Sequence, residues 1–307
     1  MIRRYGMTAL TVRDMETALG FYRDILGLKV IDDRWTHPDQ KRTRDIEYCF
    51  GVAPLHFRNI RMLDPSGEVT VELHQFFSPL PQNHPEGRTM GDIGTMRMEF
   101  RVSDVEAMYN KLVSQGVVCF STPVLSQHWA AFCCYDPDGN IVEFERVYAE
   151  PIEREGLIQR YGMTALTVRD METSLYFYRD LLGLKVIDDR WTHPEEKRTR
   201  DIELCFGVAP LHFRNIRMLD PVGRVTVELH EFFAPLPKTH LERRTMGDIG
   251  TMRMELRAFD VDEAYQRLAA KGVKFISPPI HSEVGWVACC AYDPDGNIVE
   301  LEKVRGE

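Results

Sequence analysis

Most of what would place this chain in a familiar functional class is missing from it. No stretch approaches 18 consecutive apolar residues, so no membrane-spanning helix is expected. The start, MIRRYGMTAL, has no apolar run of secretory-signal length, and a cytoplasmic location is the expectation. Cationic excess is absent: 38 Lys and Arg stand against 47 Asp and Glu, a formal net charge of -9. Nucleic acid is therefore not the expected partner, because phosphate binding needs a clustered cationic face. There is no Gly-rich phosphate loop, no Ser-His-Asp spacing and no Cys-x-x-Cys pair. Cysteine is scarce, seven in 307 residues, and lies in apolar runs such as Phe132-Cys133-Cys134-Tyr135. An odd number so placed reads as reduced core thiols rather than a disulfide framework.

What the chain does have is a long internal repeat. Residues 4–77 and 160–233 differ at nine positions, among them Ala18/Ser174, Gly20/Tyr176, Tyr48/Leu204 and Glu68/Arg224. A unit of this length is a whole folding unit rather than a solenoid turn. The chain reads as a fused pseudo-dimer of a parent of roughly 150 residues, with units at 1–150 and 157–307, and any site should occur twice. A further homodimer of the whole chain is left open.

Each unit has a finer grain. Residues 7–12 read as a strand ending at Arg13-Asp14. A helix follows, capped by Asp14, with Ala18, Phe21, Tyr22 and Ile25 on one face and Gly27 as its stop. Strands are expected at Leu28–Asp32, within Ile46–His56, and at Val69–Phe76. A second cycle has a strand at 96–102 and a helix capped by Ser103-Asp104 and stopped by Gly116. Strands at 117–121, 128–135 and 141–147 complete it. Residues 77–93 join the two cycles. The second cycles have drifted further apart: residues 98–147 match 254–304 at only about half of positions. The sharpest change is Leu125-Ser126-Gln127-His128-Trp129 against His281-Ser282-Glu283-Val284-Gly285-Trp286.

Two stretches carry a family resemblance. One is Leu10-Thr11-Val12-Arg13-Asp14 followed by Phe21-Tyr22-Arg23-Asp24-Ile25-Leu26-Gly27-Leu28. The other is Tyr135-Asp136-Pro137-Asp138-Gly139-Asn140-Ile141-Val142-Glu143, and both recur in the second unit. The chain resembles the vicinal oxygen chelate superfamily of glyoxalase I, methylmalonyl-CoA epimerase, extradiol dioxygenases and bleomycin-resistance proteins. The resemblance implies an α+β fold: four βαβββ modules forming two glyoxalase-like lobes with curled, mixed β-sheets. It also implies a cup with a divalent metal (Fe, Zn, Mn or Ni) held from the first and fourth strands of each module.

Carried over by position, the fourth-strand ligands fall on Glu72, Glu143, Glu228 and Glu300. The first-strand ligands fall on Met7, Arg97, Met163 and Arg253. Neither Met nor Arg suits such an ion, since arginine stays protonated, so the usual metal site is not expected. Strand alternation places Met7, Ala9 and Thr11, Glu72 and His74, and Arg97, Glu99 and Arg101 on the cup faces. The four glutamates are the candidate catalytic residues. Arg97, Arg253, His74, His230, Glu99 and Glu255 are the candidate substrate-binding residues. Arg97 is expected to pair with Glu72 or Glu143. A fallback metal site would use Glu72, His74 and Glu143, with Glu228, His230 and Glu300 as its repeat. His56 and His212 read as strand residues. Lys41, Arg42 and Arg44, with Trp35 and His37, read either as a solvated loop or as a basic rim for an acidic substrate. Three functions follow from the resemblance. The first is a lyase or isomerase moving a proton beside a carbonyl or enol of a small molecule. The others are an extradiol-type dioxygenase and a metal-free binding protein. Pairing of modules within each half, or across the halves, is left open.

Overall fold

The computed structural model describes residues 1–81, 89–238 and 245–306. The first half begins with β1 (Ile2–Thr11), α1 (Met15–Leu19) and β2 (Lys29–Thr36), then α2 (Lys41–Phe50), β3 (His56–Leu63) and β4 (Thr70–Ser78). It continues with β5 (Met96–Val102), α3 (Val105–Ser114), β6 (Val124–Leu125), β7 (Trp129–Tyr135) and β8 (Ile141–Val147). The second half repeats this order. Its first module is β9 (Ile158–Thr167), α4 (Met171–Leu175), β10 (Lys185–Thr192), α5 (Lys197–Phe206), β11 (His212–Leu219) and β12 (Thr226–Ala234). Its second is β13 (Met252–Ala258), α6 (Val261–Ala269), β14 (Ile280–His281), β15 (Trp286–Tyr292) and β16 (Ile298–Val304).

Local chemistry accounts for the helix boundaries. The Asp14 carboxylate accepts from the Thr17 backbone N–H at 2.8 Å and opens α1. After Leu19 the helix widens into a π-type turn over Gly20–Ile25, which buries Phe21 and Tyr22. Gly27, at φ +80°, then lets the chain leave. Asp104 caps α3 in the same way, at 2.9 Å from the Ala107 N–H.

The segment 46–56 is not a strand. Thr43, Cys49 and Phe50 are buried on one face of α2, and Gly51 ends it in a left-handed conformation at φ +64°. The apolar residues that suggested a strand are the packing face of a helix lying on β15. The true strand is β3, whose pairing with β4 sets His74 beside Asn59 and Glu72 beside Arg61. The expected strand at 117–121 is reduced to a single bridge, Cys119 to Cys134.

The chain folds as two eight-stranded mixed sheets, in the orders β14-β15-β16-β13-β1-β4-β3-β2 and β10-β11-β12-β9-β5-β8-β7-β6. Modules therefore pair across the halves, the first with the fourth and the third with the second. In sequence the repeats run side by side; in space each sheet takes one module from each. The joints are antiparallel, β1 on β13 with Thr8 opposite Met254, and β5 on β9 with Met98 opposite Thr164.

The two sheets share one large core, which draws Tyr5 and Leu10 from one and Tyr161 and Leu166 from the other. At its centre the Tyr5 hydroxyl meets Thr8 at 2.5 Å and Thr164 at 2.7 Å, and Tyr161 meets Thr164 at 2.5 Å and Thr8 at 2.7 Å. Four buried hydroxyls thus satisfy one another, as burial requires. Two smaller cores lie inside the cups. One contains Cys49, Phe50, Phe57 and Cys290, and the other Cys133, Cys205, Phe206 and Phe213.

Residues 1–150 alone carry one module of each sheet, and neither joint can close within that fragment. Two copies supply the first and second modules needed to rebuild a pair of cups. The expected outcome is that the isolated fragment is a dimer by light scattering at micromolar concentration. A stable, folded monomer would contradict the cross-half pairing.

Candidate active site

Both cups are built around one buried guanidinium, and sheet register explains how it reaches its partners. Arg253 on β13 lies opposite Ala9 on β1, and Ala9 is in register with Glu72 on β4. Ala9 is small, so the arginine passes over it to the carboxylate two strands away. On the other side Glu300, on β16, comes from the strand parallel to β13. Arg253 donates from a terminal nitrogen to Glu72 Oε2 at 3.0 Å, and its Nε lies 2.7 Å from Glu300 Oε2. The guanidinium sits 4.9 Å from the centre of the Phe50 ring.

The second cup repeats this. Arg97 lies opposite Ala165, which is in register with Glu228. Arg97 donates from a terminal nitrogen to Glu228 at 3.0 Å, and its Nε lies 2.9 Å from Glu143, with the guanidinium 4.9 Å from the centre of the Phe206 ring. The arginine thus pairs with Glu143 as expected, but not with Glu72. Glu72 belongs to the other cup.

The two carboxylates of each cup are in opposite states. Glu72 accepts from Asn59 and Arg61, each at 2.8 Å, while His74 Nε2 lies 3.1 Å away. Burial alone would raise this carboxyl, but Arg61, His74 and Arg253 outweigh it and hold it well below the usual range. Glu228 is held down in the same way by Arg217, His230 and Arg97. Glu300 has Arg253 beside it and feels Arg257 more weakly, against several like charges. Burial, opposed by Arg253 and reinforced by Glu302 and Glu72, pushes it up to about 7. Glu143 likewise rises to about 7, by burial against Arg97 and with Glu99 and Glu228 adding to the rise. Burial lowers His74 and His230, favouring the neutral imidazole. Of the four candidate glutamates, Glu143 and Glu300 suit proton transfer. Glu72 and Glu228 serve as anchors for the arginines.

Each cup opens into a cavity, of about 460 Å³ beside Arg253 and about 530 Å³ beside Arg97. His74 and Glu300 line the first, and His230 and Glu143 the second. Glu99 and Glu255 line neither; they are fully buried, against Arg101 at 2.9 Å and Arg257 at 2.8 Å. The expectation that they touch substrate is corrected on that ground. Gly6 leaves the room for Glu255, since a Cβ there would come within 2.2 Å of Glu255 Oε1. The fallback metal set is also not assembled, because Glu143 lies in the other cup from Glu72 and His74.

Sequence reasoning missed Arg34, Arg61 and Asn59, and their repeats Arg190, Arg217 and Asn215, all lining the cavities. Misplacing β3 hid the last two of each set, whose alternation with Ile60 would have shown them. Arg42 does line its cavity, but Trp35 does not; it stacks on Phe77 at 5.4 Å between centres. Desolvation, with Arg34 and Arg61 nearby, lowers the affinity of Arg42 for its proton. The cavity walls differ where the halves diverged, with Ser126, Gln127 and His128 in one and Val284 and Gly285 in the other.

The chain belongs to the Glyoxalase/Bleomycin resistance protein/Dioxygenase superfamily, whose model matches residues 4–144 and 160–301. Lactoylglutathione lyase of Schizosaccharomyces pombe is 26% identical over 195 residues, covering 62% of this chain and 63% of that protein. The match thus spans less than two thirds of that relative. Glyoxalase I from Zea mays superimposes with a TM-score of 0.66 at 18% identity, over 98% of this chain and 92% of its own. A candidate dioxygenase from Bacillus subtilis gives 0.61 at 14% identity, over 98% and 85%. At these identities the two structures show the shared fold.

The superfamily's metal position falls, in the first cup, on Met7, Glu72, Arg253 and Glu300. These residues do not fit a divalent ion. A permanently charged guanidinium stands between the two carboxylates and occupies the bonds they would offer. The candidate ligand groups among the described residues keep only the glutamate of that position and add two cysteines: Cys49, Cys290 and Glu300, and Cys133, Cys205 and Glu143.

A raised carboxyl makes stability depend on pH with a definite sign. Between about pH 4.5 and 7, Glu300 and Glu143 are protonated in the folded chain and ionised in the unfolded chain. The stability they contribute is complete below about 4.5 and is lost as pH rises through about 7. E143Q/E300Q should therefore gain on wild type as pH rises across that window, read from urea midpoints. Parallel pH curves for the two proteins would count against the raised values.

Proposed function

We propose that the chain is a glyoxalase-like enzyme, a lyase or isomerase that moves a proton beside a carbonyl or enol of a small anionic substrate. Each cup acts as a separate site. The observation that carries this reading is a carboxyl near neutrality, Glu300 or Glu143, held against a buried guanidinium at the wall of a cavity. A base with a pKa near 7 is well matched to proton abstraction at neutral pH. The guanidinium beside it stabilises negative charge developing on the substrate oxygen. Glu72 and Glu228 keep that guanidinium fixed, so little reorganisation is needed as charge develops.

The anionic character of the substrate is supported by the cavity lining. Arg34, Arg42 and Arg61 line one cavity; Arg190, Lys197, Arg198 and Arg217 line the other. Arg34 pairs with Asp32 and Arg61 with Glu72, while Arg42, partly desolvated, feels the charge of both arginines, offset in part by Asp32 and Glu72. A carboxylate or phosphate on the substrate would relieve that repulsion. Lactoylglutathione, named for the fission-yeast relative, is therefore a reasonable first compound to assay, with other hydroxyacyl and α-ketoacyl acids.

The chain carries two sites, so each substitution must be made in both. E143Q/E300Q keeps shape and removes the proton acceptor; turnover should fall by about 10²–10⁴ with ligand binding retained. R97K/R253K should weaken binding as well as turnover, because an ammonium cannot reproduce the two-pronged contact. Binding of such acids without turnover in wild type would favour a sequestering protein. Oxygen consumption with catechols would favour a dioxygenase.

A further inference from the structure

At the floor of each cup two cysteines from different halves of the chain meet beside the raised glutamate. Cys290 on β15 is in direct register with Glu300 on β16, so the two side chains lie next to each other on the concave face. Cys49 descends on them from α2 of the opposite half, its sulfur 3.7 Å from that of Cys290. In the other cup Cys133 is in register with Glu143, and Cys205 from α5 brings its sulfur to 3.8 Å from Cys133 and 3.9 Å from Glu143 Oε1. In each group all three ligand atoms lie within 4.8 Å of one another. All seven cysteines are free.

We propose that these are two three-ligand sites for a thiophilic divalent ion of the zinc class, sharing one glutamate with the superfamily's own metal position and completed by the two thiols instead. A tetrahedral zinc with bonds of about 2.3 Å to sulfur separates two sulfur ligands by about 3.8 Å, and sulfur from oxygen by about 3.5 Å. The sulfurs of both cups already stand at that tetrahedral edge, and Glu143 is a few tenths of an ångström beyond it. Charge also balances. Two thiolates and a carboxylate against a dication leave one net negative charge, and the guanidinium of Arg253 or Arg97 neutralises it. Cys49 and Glu300 line the first cavity, and Cys205 and Glu143 the second, so an ion has a route to the ligands from the cavity.

The site has one consequence that rests on the function proposed above. Glu300 and Glu143 cannot hold an ion and accept a proton at once, so metal loading suppresses proton transfer. Binding itself does not depend on that reading, and neither does its test.

Reduced full-length protein is titrated with Co²⁺, then with Zn²⁺. The expected result is cobalt–thiolate charge-transfer absorption that saturates at about two ions per chain and is displaced by zinc. C49S and C205S should each halve the stoichiometry, and C49S/C205S should abolish the bands; the corresponding alanine pair guards against misfolding of the serine variant. C119S, outside both groups, should leave the bands unchanged. Absence of thiolate bands in wild type, or their persistence in both double variants, overturns the proposal and leaves the thiols as packing. The double variants retain Glu143, Glu300 and both arginines. Their turnover therefore reports on proton transfer separately, and should become insensitive to added zinc.

Discussion

One buried cation holds each cup together, and fold and site depend on it alike. Arg253 reaches across Ala9 to Glu72, in the first module, and sideways to Glu300, in the fourth. Charges so placed are costly to bury, and the cost is met only if every partner is present with good geometry. Because the partners come from both halves of the chain, the ion cluster can be satisfied only when the halves have paired. The arrangement that completes the sheet is thus the same one that assembles the chemistry. Removing one glutamate leaves the buried guanidinium with a single carboxylate in place of two, which is a larger perturbation than loss of a surface ion pair.

The division of labour between the carboxylates follows from their neighbours rather than their identity. Glu72 is met by Asn59, Arg61, His74 and Arg253, and is fixed as an anion. Glu300 has Arg253 on one side and Glu302 and Glu72 adding negative potential, so burial prevails. Two glutamates paired with the same arginine are therefore pushed in opposite directions, one well below the usual carboxylate range and the other up to about 7. Such a split between neighbouring acids is a common way to separate an electrostatic support from a proton carrier. The same logic places Glu255 outside the chemistry despite its raised pKa: it faces Gly6 and Arg257 beneath the cavity and has no route to a substrate.

Much of this was legible in the sequence because strands alternate with period two. That rule put Glu72, His74 and Arg97 on the concave faces, where they line the cavities. The caps at Asp14 and Asp104, and the stops at Gly27 and Gly116, could be read from local chemistry alone. The module pairing could not. The first modules of the two halves are nearly identical, so a β1 edge that accepts β13 has every local feature needed to accept β5. The choice is made by chain connectivity and long-range packing, which leave no mark on short windows. Segment 46–56 failed for a different reason. Ile46, Cys49 and Phe50 followed by Val52 and Leu55 make an apolar run with no clean period, and only Gly51 marks the helix end. With β3 misplaced, Arg61 and Asn59 went unseen, and with them the reason that Glu72 stays ionised.

The duplication has left a constant floor under two unlike walls. The arginine, the paired glutamates, the histidine and the two thiols recur in both cups, with equivalent distances differing by about 0.2 Å or less. The walls come from the modules that drifted, with Gln127 and His128 in one cavity and Val284 and Gly285 in the other. Residues at the floor are constrained from several sides at once: by register across the β1–β13 and β5–β9 joints, by burial, and by charge balance. A wall residue answers only to its cavity. Divergence after duplication is therefore expected to change which molecule fits each cup well before it changes what the floor can do to it. Cross-pairing sharpens this, because each cup combines a module from the slowly changing pair with one from the drifting pair, and neither half of the chain owns a complete site.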